Sequence, residues 1–552
     1  MGSSPENRKK VVIVGGVAGG ASAAARLRRL DEHAHIVMVE KGSYISFANC
    51  GLPYYIGETI ANRSKLIVQT PELMEKRFRI DIRTESEVTS VDSEKKVVHV
   101  RDGENNSYEE SYDILILSPG AKPIVPPLPG VTSDRILTLR NMKDTDNIKS
   151  YVDQEQTDSA IIVGGGYIGL EMAENLKQRG LKVTLIEAQS HVLSTFDPDM
   201  AAILDKKLIE ENIELMTNER VASFTEQQDG VTATLSSGKT VKASLVILAV
   251  GVQPDTAFLA DSSIALTDKG YIKVNEKLES SVEHVYAVGD AVSITFPQGE
   301  SMAIALAGPA NKQGRIVADV ISGMPTTFKR FSKSSIVKLF DMTAASTGEN
   351  EKSLQQAQIP YNKIFVHPPS HATYYPGASA MVIKLLFADD GKVLGAQAIG
   401  KDGVDKRIDT IATTIHFGGS VHDLAELDLT YAPPYSSAKD PVNLAGFVAQ
   451  NALNGLSHYV EPTQLDDKDP SSSAIKLDVR TEAEFQRGHV DGALNIPVDA
   501  LRERLDELDT SKPIHVYCQV GLRGHVASRI LAQHGFNVKN VTGGYKSYTQ
   551  GK

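Results

Sequence analysis

Short, unbroken apolar runs that end at glycine or at an acidic residue recur along the chain. The run at 11–14, VVIV, leads into GGVAGG and an alanine-rich stretch, and the next apolar run ends at Glu40. The run at 160–163, AIIV, leads into GGGYIG, and the apolar run after it ends at Glu187. Runs of this length bounded by turn residues are typical of buried parallel strands. The pattern therefore predicts an α/β fold that contains two units of strand, tight turn, helix and strand.

Three further apolar runs end in small residues and glycine, at 113–121 (DILILSPGA), 245–255 (LVILAVGVQPD) and 285–291 (VYAVGDA). Each run alone indicates only a core strand followed by a turn. Because they occur together and in this order, we interpret them as strand ends at the crossings between two nucleotide-binding domains. The residues expected near a cofactor at these ends are Ser118, Gly120, Gly251 and Asp290.

The first glycine-rich segment follows the dinucleotide-binding pattern G-x-G-x-x-G only in part. Gly15 and Gly20 match, whereas Val17 occupies the middle glycine position. Glu40 lies twenty residues past Gly20, where a carboxylate that binds a ribose is expected. Glycine clusters also form plain turns, so this segment alone is an incomplete signal. Its candidate cofactor-binding residues are Gly15, Gly16, Val17, Ala18, Gly20, Glu40 and Lys41.

The second glycine-rich segment matches the same pattern in full, with Gly164, Gly166 and Gly169. Glycine there permits a tight turn and a close backbone approach to a pyrophosphate at the helix N-terminus. Glu187 is placed to accept hydrogen bonds from an adenosine ribose, and no arginine follows it closely, so both NADH and NADPH remain open. Two such units suggest that one holds a flavin and the other a nicotinamide.

Composition and charge limit the classes of partner. The chain of 552 residues is 41% hydrophobic and 23% charged, as in a globular protein of several domains, and its net charge of -11 argues against binding to nucleic acid or to an anionic membrane. Two cysteines exclude a disulfide framework. The polar start MGSSPENRKK is unlike a signal peptide, and no apolar run of about 18 residues occurs, so we expect a cytoplasmic protein.

These motifs, together with SFANCGLPY at 46–54, resemble the two-dinucleotide-domain flavoprotein disulfide reductases. Within that family the chain resembles the single-cysteine branch of coenzyme A disulfide reductases, NADH oxidases and peroxidases. The resemblance implies FAD, NADH or NADPH, coenzyme A, and a homodimer whose active sites are completed by the partner subunit. It also implies the domain boundaries, with an FAD-binding domain at 9–124 and 255–330, an NAD(P)-binding domain at 125–254, and an α+β interface domain at 331–452.

Cys50 stands about ten residues past Glu40, where this family places its nucleophile. Relatives with a redox disulfide carry C-x-x-x-x-C, but the fifth residue after Cys50 is Tyr55. A single redox cysteine holds its oxidising equivalent as a sulfenic acid, or as a mixed disulfide or persulfide with an external sulfur. The alternative is a small buried cysteine with no chemical role.

The resemblance assigns coenzyme A contacts on both sides of this cysteine. Arg26 and Arg29 stand three residues apart on a predicted helix, so their heads can share an anionic target, although a solvated basic face gives the same pattern. The candidate substrate-binding residues are Ser22, Arg26, Arg29, Ser46, Asn49, Asn311 and Lys439. Of these, Lys439 is expected near the diphosphate.

Two tyrosines, Tyr374 and Tyr431, match those that the family brings from the partner subunit to the leaving thiol. The stretch LTYAPPYSSAKDP at 429–441 has no histidine, so the acid and base pair of glutathione reductases is absent. A phenol with a pKa near 10 is a weak acid that can protonate or orient a thiolate. A packed aromatic turn is the alternative interpretation.

Residues 453–473 lose apolar periodicity and gather Asp, Ser and Pro, which predicts a linker before a last domain at 474–552. In that domain a strand ends at Cys518, a six-residue loop runs to Arg523, and a helix is expected directly after it. A thiol there faces a helix N-terminus and is favoured as a thiolate. The domain resembles a single-domain rhodanese in the motifs Asp478-Val-Arg480, Glu484-Phe485, Gly488-His489 and the loop from Cys518 to Arg523.

The combined prediction is a flavoprotein that uses NAD(P)H to reduce coenzyme A disulfide, or a coenzyme A persulfide or polysulfide, through a mixed disulfide of Cys50 with coenzyme A. Cys518 is expected to carry sulfane sulfur. One alternative is an NADH oxidase or peroxidase that forms a Cys50 sulfenic acid. The other is a sulfur carrier or redox sensor in which the flavoprotein half is a scaffold, and no metal is expected in any of them.

Overall fold

The structure is a computed structural model that describes residues 9–296, 299, 301–329, 331–466 and 474–550. The chain divides into two compact units. The first unit contains Met1–Ile186 and Arg220–Arg330, and the second contains Glu187–Glu219 and Phe331–Lys552. Among the described residues, no helix combines the length and the apolar character needed to cross a membrane.

A parallel five-stranded sheet in the first unit contains the first predicted strand, turn and helix. In sheet order its strands are β19 (Val285–Ala287), β7 (Ile114–Leu117), β1 (Lys10–Val14), β2 (His35–Val39) and β3 (Asp81–Arg83). Helices α1 (Ala18–Leu30) and α7 (Ala307–Ile321) pack against each other. They approach closely because both carry glycine, and a Cβ on Gly314 would lie 2.4 Å from the carbonyl oxygen of Gly19.

A second parallel sheet in the first unit contains the second predicted motif. Its strands within this unit, in order, are β11 (Lys182–Ile186), β10 (Ser159–Val163), β16 (Leu245–Leu248) and β9 (Ile136–Thr138). Helices α4 (Met142–Val152) and α5 (Tyr167–Gln178) belong to the same layer. Strands β10 and β16 are apolar and almost wholly buried, as expected for a parallel sheet covered on both faces.

Smaller sheets complete the first unit. Two three-stranded sheets are formed by β4 (Glu87–Asp92), β5 (Val97–Arg101) and β6 (Ser107–Ser111), and by β13 (Val221–Gln227), β14 (Gly230–Leu235) and β15 (Thr240–Ala243). A third contains β18 (Ile272–Val274), β20 (Val292–Thr295) and β21 (Ser301–Ala303), and β8 (Ala121–Pro123) pairs with β17 (Val252–Pro254). All these strand pairs are antiparallel except β18 with β20, which is parallel. The remaining helices are α2 (Leu52–Ile56) and α3 (Pro71–Phe78).

The second unit is built on a five-stranded antiparallel sheet. Its order is β22 (Ser335–Leu339), β23 (Met342–Gly348), β26 (Val393–Gly400), β25 (Met381–Phe387) and β24 (Asn362–Val366). The other elements of this part are α6 (Pro198–Glu210), β12 (Glu214–Met216), α8 (Glu351–Gln356), α9 (Val404–His416), α10 (Val421–Glu426) and α11 (Pro441–Leu453). The core lies between the sheet and helices α9, α10 and α11.

A buried charge cluster links the 187–219 segment to this sheet. Lys384 on β25 has a fully buried side chain and forms ion pairs with Asp197 at 2.9 Å and Asp199 at 2.8 Å. Its ammonium also pairs with Glu351 at the start of α8. Burying an ion is costly without partners, so the three carboxylates and Lys384 depend on one another.

The C-terminal part of the second unit forms a parallel sheet of its own. Its order is β27 (Tyr459–Val460), β31 (Val538–Val541), β30 (Ile514–Tyr517), β28 (Ile475–Asp478) and β29 (Leu494–Asn495), with helices α12 (Glu482–Gln486), α13 (Leu522–Gln533) and α14 (Gly544–Gln550). Strand β27 falls inside the stretch predicted as a linker, so the sheet begins earlier in the chain than residue 474. Residues 467–473 of that stretch lie outside the described residues.

Two hydrogen bonds attach this sheet to the antiparallel one. The Phe365 amide on β24 donates to the Thr542 hydroxyl at 2.8 Å, and His367 Nε2 lies 2.8 Å from Ser547 Oγ. Burial lowers the pKa of His367 to about 3, so the imidazole is neutral there. Both bonds are made within the second unit.

Candidate active site

The first glycine-rich turn runs from β1 into α1, as predicted. Gly15 has φ +96°, and a Cβ on it would lie 2.0 Å from the carbonyl oxygen of Ser118. A Cβ on Gly20 would lie 1.9 Å from the carbonyl oxygen of Gly15. Val17 is the residue before the helix, with φ -93°, and Ala18 is the first residue of α1. The turn and the helix packing therefore require glycine at 15 and 20 but not at 17.

The second glycine-rich turn, between β10 and α5, repeats this geometry. Gly164 has φ +106°, and a Cβ on Gly169 would lie 1.9 Å from the carbonyl oxygen of Gly164. A Cβ on Gly166 would meet no described atom within 4 Å. The middle glycine thus borders open space, which fits the backbone approach of a nicotinamide dinucleotide pyrophosphate.

Two acidic residues of the first unit are largely buried. Glu40 lies beside the first glycine-rich turn, and Asp290 lies at a strand end near it. The Glu40 carboxylate follows β2 and accepts hydrogen bonds from the amides of Gly16 at 2.8 Å and Gly42 at 2.7 Å. Asp290 follows β19 and lies 3.6 Å from Arg140. Burial raises the pKa of both carboxyl groups. Hydroxyl donors of a ribose and a ribityl chain would satisfy them, so these residues fit FAD.

The strand ends predicted as crossings are joined by the β8 and β17 pair. The Ile124 amide donates to the carbonyl of Gly251, and the Asp255 amide donates to the carbonyl of Gly120, both at 3.0 Å. Gly120 and Gly251 have positive φ, at +70° and +111°. Lys41 is exposed and pairs with Asp255. In the second unit, Glu187 follows β11 directly and its carboxylate accepts the Gln189 amide at 2.7 Å.

Cys50 lies in a 3₁₀ turn, Asn49–Gly51, directly before α2. The preceding segment is tied to the first glycine turn because the Ser46 amide donates to the carbonyl of Gly16 at 3.0 Å. Cys50 is exposed, yet partial desolvation raises the pKa of its thiol, and the carboxylates of Glu171 and Asp290 raise it further. The side chain of Tyr55 instead lies under the Lys149 ammonium, 5.5 Å from it.

A tyrosine and a glutamate near Cys50 were not predicted from the sequence. Tyr54 donates a hydrogen bond to Glu171 on α5 at 3.3 Å. Burial raises the pKa of Glu171 to about 7. Glu171 stands two residues after Gly169, but nothing in the local sequence shows that α5 approaches a segment more than a hundred residues earlier.

Arg140 and Gln313 were also missed. Arg140 is the cation nearest Asp290, and Gln313 accepts the Gly289 amide at 2.6 Å while its Nε2 finds no partner among the described residues. Both bear on the position of Asp290 at the predicted flavin site.

Several predicted coenzyme A residues cluster on α1 and α7. Ser22 Oγ donates to Asn311 Oδ1 at 2.6 Å, and Arg26 pairs with Asp319 at 2.7 Å. Arg26 is therefore already engaged, and Arg29 alone presents an exposed guanidinium, which differs from the shared pair expected from their spacing. Beside Cys50, the buried Oδ1 of Asn49 has no hydrogen-bond partner among the described residues and fits a ligand donor.

The remaining predicted contacts lie in the second unit. Tyr374 and Tyr431 have hydroxyl groups 2.8 Å apart, and the hydrogen bond between them raises the pKa of Tyr374. The two side chains are 74% and 48% exposed. Lys439 is also exposed. The structure thus pairs two tyrosines that are 57 residues apart in the chain.

Cys518 is buried at the end of β30, and its Sγ accepts the Gly521 amide at 3.1 Å. Helix α13 begins at Leu522, one residue before Arg523, so the loop is shorter than predicted. A Cβ on Gly544 would lie 2.4 Å from the Cys518 carbonyl oxygen, so α14 closes over the loop.

Two ion pairs flank this loop. The Arg523 guanidinium forms two hydrogen bonds to Glu484, at 2.7 and 2.8 Å. Arg480 donates to Asp478 at 2.7 Å and to the carbonyl of Gly488 at 2.7 Å. His489 stacks on Phe485 with ring centroids 3.8 Å apart. Arg480 also donates to Gln519, the residue after Cys518, at 3.2 Å, and Arg523 interacts with Cys518 itself, so both arginines lie at the thiol loop.

Three family descriptions match the chain. Pyridine nucleotide-disulphide oxidoreductase matches residues 9–314, the dimerisation domain of that group matches 334–441, and the rhodanese-like domain matches 461–550. The predicted fold class and both resemblances are confirmed.

Individual proteins match over most of the chain. The coenzyme A disulfide reductase of Staphylococcus epidermidis is 38% identical over 445 residues, which cover 80% of this chain and 100% of that protein. The crystal structure of reduced Bacillus anthracis CoADR-RHD superposes with a TM-score of 0.96 at 47% identity, covering 99% of this chain and 98% of that one. An NAD-dependent persulfide reductase from A. fulgidus superposes with a TM-score of 0.91 at 36% identity, covering 98% and 100%.

Proposed function

Because the chain belongs to the pyridine nucleotide-disulphide oxidoreductase family, we propose that it uses NAD(P)H to reduce coenzyme A disulfide, coenzyme A persulfide, or both. The position of Cys50 carries the proposal. Cys50 lies on a segment that is hydrogen-bonded to the first glycine-rich turn, and Tyr55 stands where a second redox cysteine would be expected. The oxidised partner of Cys50 is then an external sulfur, and the names of the relatives favour coenzyme A.

The cofactors of the family fit the residues present. Glu40, Asp290 and the turn at Gly15 would hold FAD, and the open backbone at Gly166 would face NAD(P)H. Bound FAD supplies a route for two electrons from the nicotinamide to sulfur. The chain's own part is to place Cys50 beside that turn and to bind the sulfur substrate.

The first chemical step is thiol exchange at Cys50. Its thiolate attacks one sulfur of coenzyme A disulfide, a new S–S bond forms to Cys50, and one coenzyme A thiolate leaves. Desolvation and the carboxylates of Glu171 and Asp290 raise the pKa of the thiol, so its proton must be taken up by a base before the thiolate can attack. Glu171, with a pKa of about 7, is suited to accept it near neutral pH.

The Tyr374 and Tyr431 pair is suited to the leaving thiolate. One phenol donates to the other across 2.8 Å, which leaves one hydroxyl hydrogen for an external acceptor. Both residues fall within the region that matches the dimerisation domain. As the family resemblance implies, we place the pair of one protomer at the Cys50 of its partner in a homodimer, with Lys439 and Arg29 near coenzyme A phosphates.

Cys518 is proposed to carry sulfane sulfur as a persulfide. The Gly521 amide stabilises negative charge on its sulfur, and the surrounding domain matches the rhodanese family. Sulfur bound there can be supplied to coenzyme A or received from it.

The decisive experiment compares anaerobic NADH oxidation with coenzyme A disulfide, coenzyme A persulfide, polysulfide and hydrogen peroxide. The wild type, Cys50→Ser and Cys518→Ser are assayed side by side, with FAD content measured by absorbance. We expect Cys50→Ser to lose turnover of every sulfur substrate, while Cys518→Ser keeps turnover of coenzyme A disulfide. Undiminished turnover in Cys50→Ser would contradict the mechanism. Oxidation driven by peroxide or oxygen, with no response to coenzyme A sulfur compounds, would identify a sulfenic acid enzyme instead.

A further inference from the structure

The two arginines beside the Cys518 loop each form an ion pair with a carboxylate, although the site handles anionic sulfur. Arg523 holds two hydrogen bonds to Glu484, and Arg480 is bound by Asp478. The third basic group near the loop is Lys546, whose backbone amide donates to the Gln519 carbonyl. The Lys546 ammonium lies close to His367, and burial lowers the pKa of Lys546. Each arginine at the loop therefore already has a carboxylate partner.

The Glu484 pair is strong enough to persist near neutral pH. Arg523 holds the pKa of the Glu484 carboxyl at about 2, so Glu484 stays ionised. Glu484 also accepts the amide and the hydroxyl of Thr481, both at 3.0 Å, as the third residue of a capping box on α12. These bonds fix the carboxylate in place opposite Arg523.

Exposed apolar side chains follow the loop at the start of α13. Leu522 and Val526 stand four residues apart at the start of α13 and are 70% and 42% exposed. An apolar rim beside paired charges favours a donor whose reacting end is uncharged or singly charged.

We propose that the Cys518 loop takes sulfur from low-molecular-weight persulfides and discriminates against thiosulfate, and that Glu484 sets this preference by neutralising Arg523. The proposal rests on the proposed role of Cys518 as a sulfur carrier.

The two donors place different charge on the leaving group. With a persulfide RS–SH, the Cys518 thiolate attacks the outer sulfur, the S–S bond breaks, and RS⁻ departs with the electron pair, leaving Cys518–S–SH. With thiosulfate the same attack expels sulfite, which carries two negative charges. Sulfane sulfur is transferred in both cases with no external oxidant or reductant. Arg523 also interacts with Cys518, and a departing dianion gains more from its guanidinium when Glu484 does not offset the positive charge.

The test measures donor to cyanide sulfurtransferase activity of the full-length holoenzyme with coenzyme A persulfide, pantetheine persulfide and thiosulfate. Glu484→Gln keeps the capping acceptor and the packing while it frees Arg523 from a charged partner. Glu507→Gln is the matched control, because Glu507 pairs with Arg504 on the exposed surface of the same domain. Circular dichroism checks folding.

For the wild type we expect kcat/KM for both persulfides to exceed that for thiosulfate by at least about tenfold. A charge-assisted hydrogen bond made available to the anion is worth roughly 10 to 100-fold, so Glu484→Gln should raise kcat/KM for thiosulfate by about that factor and leave the persulfides nearly unchanged. A wild type that uses thiosulfate as well as the persulfides overturns the proposal without any variant. So does a thiosulfate gain in Glu484→Gln no larger than in Glu507→Gln.

Cys518→Ser separates this proposal from the one on which it rests. Loss of transfer from every donor supports sulfur carriage by Cys518, and the donor ratios then decide on Glu484. Retention of persulfide transfer in Cys518→Ser would overturn sulfur carriage itself, and with it the donor assignment.

Discussion

In the second glycine-rich turn, Gly169 is needed by the fold, whereas Gly166 is needed only for binding a ligand. Gly166→Ala is therefore the sharpest test of the nucleotide site. Gly166 has φ -78° and ψ -171°, which alanine adopts freely, and its added Cβ would meet no described atom within 4 Å. A glycine to alanine change at such a position stabilises a protein by about 0.4–1 kcal/mol, because the unfolded chain loses freedom. The variant should therefore fold as well as the wild type.

Its binding of nucleotide should nevertheless weaken. A methyl group that keeps a pyrophosphate from the backbone removes one or more charge-assisted hydrogen bonds, which corresponds to roughly a 10 to 100-fold rise in the dissociation constant. We would measure NAD⁺ and NADP⁺ binding by calorimetry, the KM for NADH and NADPH, FAD absorbance, and the midpoint of thermal unfolding. FAD content should stay at the wild-type value, and the midpoint of thermal unfolding should equal or slightly exceed that of the wild type.

Gly169→Ala is the contrasting variant in the same turn. Its Cβ would lie 1.9 Å from the Gly164 carbonyl oxygen, so the helix must move away from the strand, and overpacking of this kind costs about 1–3 kcal/mol. The reasoning would be refuted if Gly166→Ala bound both nucleotides within about twofold of the wild type, or if it lost stability as Gly169→Ala does.

Three further predictions concern the second unit. Lys384→Met should destabilise it by about 3–5 kcal/mol in urea unfolding, because three carboxylates lose their buried cation. Lys401→Met, at an exposed ion pair of the same unit, should change stability by no more than about 1 kcal/mol, and equal effects would count against the cluster. In the folded protein the pKa of His367 is about 3, below its ordinary 6.5, so the unfolded chain binds the extra proton. Stability should therefore fall as the pH drops from about 6.5 toward 3. His367→Gln should flatten that decline, as measured by thermal unfolding at a series of pH values. Tyr431→Phe and Tyr374→Phe should each lower kcat for coenzyme A disulfide by about 10²-fold or more with unchanged FAD content, and full activity in the double variant would exclude the pair from proton transfer.

The glycine turns and the thiol loop were predictable because each is a local motif. Gly15 and Gly164 take positive φ directly after a strand, and Gly20 and Gly169 pack on them five residues later, so the backbone of each turn lies within a short stretch of sequence. Only the carbonyl groups of Ser118 and Ala249, which lie close to Gly15 and Gly164, come from elsewhere in the chain. Glu40 follows its strand directly and bonds to the adjacent turn. The loop after Cys518 is equally local, and only the first residue of its helix differed from the prediction.

The contacts that set the chemistry were not predictable, because their partners come from distant parts of the chain. Tyr54 meets Glu171, Asp290 meets Arg140, and the two candidate acid hydroxyls of Tyr374 and Tyr431 meet each other. Burial of Glu171, which raises its pKa, depends on the packing of α5 and not on its neighbours in sequence.

The sequence by itself determined the classes of domain, the two cysteines and the backbone turns, because these follow from local sterics and from strand periodicity. Only the tertiary structure decided which charges are neutralised. Arg26 is engaged by Asp319, and Arg523 by Glu484, although neither carboxylate is close to its arginine in the sequence. Electrostatic pairing depends on distance in space, and distance in space is set by packing between elements far apart in the chain.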